Sequence, residues 1–193
     1  MKASFKFTAL ILLFALSACN NHSSKESTLA ASDHSDCKPY FNYDKVEHYF
    51  LNIDESELWK INEKKKRSAD ENQQLELLIQ RIPDTLSDTA ALLNIERIGF
   101  VRKEIPKSEF QKLDQIFCER KHKESISTAC IAIYRDILVF RMHNEIVGTA
   151  KICFGCWKHV IAGTKQNTKD FGQSGDYSRL FRILHKGEQF PDE

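Results

Sequence analysis

Cysteine carries most of the chemistry this sequence could support. Six are present: Cys19, Cys37, Cys118, Cys130, Cys153 and Cys156. The last two make a Cys-x-x-Cys motif, Cys153-Phe154-Gly155-Cys156, and three chemistries use that spacing. Thiol–disulfide exchange needs the first thiolate stabilised near a helix N-terminus. The residues after the motif, 157–164, are poor helix formers and read as extended chain. A Cys₃His zinc set would join Cys130, Cys153 and Cys156 to His159. Structural zinc normally takes two close ligand pairs, and Cys130 is alone on its arm. Covalent haem needs a histidine directly after the second cysteine; Trp157 stands there, and His159 comes two residues late. His159 could also activate a thiol, although a partly exposed surface histidine is the simpler reading. No Gly-rich phosphate loop, Gly-x-Ser-x-Gly elbow or paired-histidine metalloprotease spacing is present. Glu47 and His48 are adjacent on an expected strand, so they point to opposite faces.

Residues 1–18 read as an export signal. Lys2 and Lys6 are its positive residues, and no acidic residue precedes Glu26. The apolar run 8–16 is about half the ~20 residues a spanning helix requires, which suits a removable leader. The run ends in Leu16-Ser17-Ala18-Cys19. This motif resembles the lipobox of bacterial lipoproteins. The resemblance implies diacylglycerol on the Cys19 sulfur, cleavage between Ala18 and Cys19, and acylation of the new amino group. One acyl chain binds a membrane only marginally, so two or three on one residue make a stable anchor. In enterobacterial lipoproteins an Asp after the cysteine often means inner-membrane retention. Asn20 therefore favours the outer membrane, facing the periplasm.

Composition narrows the remaining options. The formal net charge is +1, and loss of Lys2 and Lys6 with the leader keeps the chain near neutral. Such a chain has no electrostatic case for binding nucleic acid. Residues 20–36 are polar and nearly free of large apolar side chains. They cannot bury enough surface to offset their ordering entropy, so residues 19–36 are expected to form a lipidated flexible tether. The tether histidines, His22 and His34, read as solvated rather than metal-capturing. Residues 37–193 suit one globular domain.

The elements that must position these groups follow from periodicity and punctuation. Residues 46–53 read as a strand. Asp54 offers an N-cap for a helix over 55–65, which ends in the basic run Lys64-Lys65-Lys66-Arg67. That run reads as a solvated turn complementing the helix dipole, with contact to anionic lipid as the alternative. Ser68 with Glu71 has the spacing of a capping box, and Leu75, Leu78, Ile79 and Ile82 predict an amphipathic helix over 69–81. Pro83 breaks it, and residues 84–94 are expected as loop or short helix. Residues 95–105 predict a strand with Gly99 as a bulge. Pro106 opens another helix to about 119, with Phe110, Leu113, Ile116 and Phe117 as its apolar stripe. Residues 131–141 and 145–154 predict a hairpin around 142–144. Residues 167–175 form a loop, and 176–185 a last helix with Leu180, Phe181 and Leu184 inward. The fold class expected is α+β: a small antiparallel sheet, including the 131–154 hairpin, partly covered by amphipathic helices.

With Cys19 assigned to lipid, an odd number of cysteines remains, and an exported domain favours disulfides. A three-residue turn would oppose Arg141 to Glu145 and, in the same register, Cys130 to Cys156. Cross-strand Cβ atoms lie about 4.5–5.5 Å apart, near bridging distance. Cys130–Cys156 is the favoured bridge. Cys130–Cys153, Cys118 to a hairpin cysteine, and a local Cys153–Cys156 bridge are the alternatives. The hairpin also resembles a group of uncharacterised bacterial proteins, many of them lipoproteins, on the segment from Cys130 through Ile152-Cys153-Phe154-Gly155-Cys156. Those proteins carry a Pro-Arg-His where this chain has Ile133-Tyr134-Arg135-Asp136. The resemblance implies the hairpin and the cysteine grouping, and no activity.

The sequence thus leads to a membrane-anchored envelope lipoprotein. Its expected role is binding or structural support of another envelope protein, rather than enzymatic, with no cofactor and no metal. The alternatives are a thiol–disulfide redox protein using Cys153 and Cys156, and an immunity-type lipoprotein.

Overall fold

The computed structural model describes residues 37–121 and 129–191. The expected leader, Cys19 and the expected tether with His22 and His34 lie outside the described residues. The fold is α+β, as the sequence predicts. Two short strands, β1 (Lys38–Pro39) and β4 (Cys118–Glu119), pair with each other. The main sheet is antiparallel and five-stranded. Its strands are β2 (Lys45–Phe50), β3 (Val101–Glu104), β5 (Asp136–Met142), β6 (Glu145–Cys153) and β7 (Lys158–Ala162), in the order β3-β2-β5-β6-β7. The helices are α1 (Glu55–Asn62), α2 (Ala69–Ile79), α3 (Phe110–Ile116) and α4 (Asp176–Leu184). Among the described residues no helix is long and apolar enough to cross a membrane.

Both faces of the sheet are covered, because side chains alternate along each strand. Val46, Leu138, Phe140, Ala150 and Ile152 pack with Leu113 and Ile116 of α3 and Leu180, Phe181 and Leu184 of α4. Tyr49, Ile137 and Val139 pack on the opposite side with Leu58 of α1 and Leu75, Leu77 and Leu78 of α2. The central strand β5 is therefore buried from Asp136 to Phe140 without a break. That explains its continuous run Ile-Leu-Val-Phe, where a strand covered on one face would alternate apolar with polar.

Local chemistry sets several boundaries. Ser68 and Glu71 form the expected reciprocal capping box at the start of α2. Asp54 takes the N-cap place of α1 without a side-chain cap bond. Residues 84–94 contain a 3₁₀ helix, Leu86–Leu92. The long strand expected over 95–105 is cut down. Ile95–Ile98 is a 3₁₀ turn, and Gly99 at φ 102° ends it in the left-handed region rather than forming a bulge. The helix expected from Pro106 is also shorter: a 3₁₀ turn, Lys107–Glu109, leads into α3, and the chain is extended again at Cys118.

The hairpin forms with a different turn. His143 and Asn144 alone connect β5 to β6, both at positive φ (50° and 71°), as a tight right-twisted hairpin requires. A bulge between Phe140 and Arg141 then shifts the register, so Asp136 faces Ile152. Residues 131–135 precede the strand instead of belonging to it.

Candidate functional site

The strongest concentration of chemistry is a buried His–Asp–His cluster. Asp136 opens β5, and the irregular segment before it is firmly held. Its Arg135 backbone carbonyl accepts from Leu51 N–H at 3.0 Å, and Tyr134 N–H donates to the Leu78 carbonyl at 2.7 Å. The Arg135 side chain donates to the Ile53 carbonyl at 2.8 Å. His48 sits diagonally across from Asp136 on β2. Strand alternation turns His48 to the α4 face and Glu47 to the α1/α2 face, the separation expected from sequence. His185 caps the C-terminus of α4, its N–H donating to the Phe181 carbonyl at 2.8 Å.

Nε2 of His48 and Nε2 of His185 each lie 2.7 Å from the same oxygen, Oδ1 of Asp136. All three residues are buried. Aromatic rings surround His185: Phe181 stacks on it at 4.6 Å, and Phe50 and Phe154 meet it edge-on at 4.9 and 5.9 Å. Burial pushes the Asp136 carboxyl up, but the hydrogen bonds from His185 and His48 outweigh it and hold it below its ordinary value. Burial pulls His185 down, and its bond to Asp136 reverses this and leaves it raised. Asp136 and His185 form part of the wall of a cavity of about 470 Å³, with Phe50, Arg135, Phe154 and Glu188. Glu188 approaches the other His185 nitrogen, Nδ1, at 3.7 Å.

Two further buried charges serve the fold. Glu47 is surrounded by cations: Lys45 at 3.0 Å, Arg102 at 2.8 Å and Arg141 at 2.8 Å. Burial raises its carboxyl, but these partners outweigh it and bring the value down to about 2. Lys151 is fully buried under the C-terminal end of α2. Its ammonium donates to the carbonyls of Gln80 at 2.6 Å and Ile82 at 2.9 Å, and reaches that of Glu76 at 3.5 Å. Burial pulls this amine down to about 7. Three carbonyl oxygens nevertheless match the three N–H groups of an ammonium, so the cage accommodates the charged form.

The cysteines are distributed as follows. Cys37 is bonded to Cys118, joining β1 to β4, with Cα atoms 5.5 Å apart. Cys118 therefore has no hairpin partner. Cys130 is bonded to Cys156 across 5.9 Å. This bridge does not arise from opposed strand positions, because the two-residue turn and the bulge give a different register. Cys130 lies in the segment before β5, and Cys156 lies in the tight turn between β6 and β7. Cys153 is free and buried. The Cys-x-x-Cys motif thus closes a strand and enters a turn, with β7 following where exchange chemistry would want a helix. The set Cys130, Cys153, Cys156 and His159 offers no group of thiolates for zinc, since two of its sulfurs are bonded to each other. His159 is partly buried and engaged, Nδ1 with Tyr177 Oη at 2.8 Å and Nε2 with the Thr168 carbonyl at 3.0 Å. Of the basic run, Lys64 pairs with Glu71, and Arg67 donates to Asn72 and the Asn62 carbonyl.

Sequence reasoning passed over Asp136 and His185 and noted His48 only for its neighbour. The available signal was an acidic residue opening an otherwise apolar central strand. A carboxylate entering a two-sided core needs partners. No family model, curated protein or solved structure matches the chain.

Proposed function

We propose that this chain is an exported, lipid-anchored protein of the bacterial cell envelope, and that its folded domain acts by binding another envelope component. One observation carries the reading: Leu16-Ser17-Ala18-Cys19 closes a short apolar leader and is followed by a polar tether. Two disulfides in the domain are compatible with it, since such bonds persist in oxidising compartments. Asn20 favours the outer membrane facing the periplasm. Labelled palmitate should enter the wild-type chain in its bacterial host and not Cys19→Ala, which should leave the membrane fraction. If the variant stays with the membrane, or the wild type takes up no label, the anchoring reading fails.

A second reading, thiol–disulfide exchange, has one observation in its favour. The free Cys153 packs in the same small apolar cluster as the Cys130–Cys156 bridge. Rapid alkylation of Cys153 in the native protein near neutral pH supports that reading. A thiol that reacts only after unfolding ends it.

A further inference from the structure

We propose that His48, Asp136 and His185 bind one divalent first-row transition-metal ion at the wall of the cavity beside β5 and α4. Each residue offers one ligand atom, and these atoms all lie within 4.8 Å of one another. They come from β2, β5 and the end of α4, separated by 88 and 49 positions from Asp136. The tertiary fold alone makes them converge.

The chemistry of the donor set selects the ligand. Zinc–nitrogen and zinc–carboxylate bonds are about 2.0–2.2 Å long, so donor atoms around a tetrahedral ion sit about 3.3–3.6 Å apart. The two nitrogen–oxygen separations of 2.7 Å are shorter than that by less than 1 Å. A small outward rotation of the imidazoles, with each ring proton carried on Nδ1 instead of Nε2, would turn both Nε2 lone pairs toward an ion and leave the two rings neutral. Two imidazoles and one carboxylate suit zinc, iron, cobalt or nickel and disfavour calcium and magnesium, which take oxygen-rich shells. Three protein ligands also leave coordination positions open. Because Asp136 and His185 face the cavity, those positions can be filled by water or by an anionic group of a bound molecule. Asp136 places a carboxylate in a buried site walled by Phe50, Phe154 and Phe181, and a divalent cation held by the two imidazoles would offset its charge. Glu188, beyond His185, occupies the place of the outer carboxylate that often orients a metal-bound histidine.

This inference goes beyond the anchoring reading and does not rest on it. A chain without lipid can bind the ion, and an anchored chain can fail to. The test uses the purified mature protein in detergent, stripped with chelator and dialysed against micromolar Zn²⁺, with bound metal measured by elemental analysis. One equivalent per folded chain is expected. Co²⁺ in its place should give ligand-field bands without a thiolate-to-cobalt charge-transfer band, since Cys153 is not a ligand. His48→Gln and His185→Asn should each weaken binding at least about 100-fold while the near-ultraviolet circular dichroism persists. His22→Ala/His34→Ala should keep the equivalent. Clearly substoichiometric binding by folded wild type, a thiolate band, loss of the ion in the tether variant, or full affinity in both folded cluster variants would each overturn the assignment. If the cluster variants unfold, X-ray absorption of the Zn²⁺-loaded wild type decides: two imidazoles in the shell support the site, and one or none refutes it.

Discussion

At the scale of single residues, this domain is organised by charges that it buries and then partners. Glu47 and His48 are neighbours in the chain, yet they serve separate layers. Glu47 binds three cations on one side of the sheet, and His48 meets Asp136 on the other. The Glu47 arrangement makes a pH prediction. Its folded-state value of about 2 lies below the ordinary ~4.3 of an unfolded glutamate. Its stabilisation is therefore present above about pH 4.3 and is lost as pH falls toward 2. The cations are partly exposed, so screening leaves about 1–2 kcal/mol. Denaturant titrations of wild type and Glu47→Gln should show that gap at pH 6 and its closure by pH 2. A gap unchanged across that range would refute the ion-pair account. Asp136 draws on the same physics from a more enclosed position, and its environment was not legible in sequence. An aspartate at the start of a strand reads like any polar strand boundary until its partners arrive from β2 and α4.

At the scale of elements, the hairpin shows where local reading stops. Apolar content and turn residues were enough to anticipate β5 and β6. Register was not, because it depends on one bulge and on whether the turn holds two residues or three. Gly148 shows what the bulged region must accommodate. A Cβ built there would collide with the Phe41 ring, which packs on Phe140 with ring centres 4.5 Å apart. Gly148→Ala should cost about 1–3 kcal/mol by overpacking, seen as a lower urea midpoint. Phe41→Leu should recover part of the loss in the double variant. If the two changes are simply additive, the close approach is not the cause. The α2 capping box, by contrast, was fully readable, since its partners stand three residues apart.

For the whole molecule, the Cys37–Cys118 bridge closes the longer of the two covalent loops among the described residues, 81 positions. Chain-entropy reasoning assigns such a loop about 4 kcal/mol of stabilisation through the unfolded state. Cys37→Ser/Cys118→Ser should therefore lower the unfolding free energy by about 2–5 kcal/mol and leave wild-type spectra intact below the transition. No measurable loss would refute the loop-closure account of this bridge.

The sequence by itself determined the α+β class and the main helices. It also supplied the lipobox-like motif on which the proposed address rests. These are short-range properties: periodicity, capping and punctuation act over a few residues. Only the tertiary structure decided the strand register, the pairing of Cys37 with Cys118, and the convergence of His48, Asp136 and His185 on one carboxylate oxygen. Each joins residues distant in sequence, or turns on a one-residue shift in strand pairing. Such contacts form when two apolar sheet faces are buried together, and local sequence pattern does not record them.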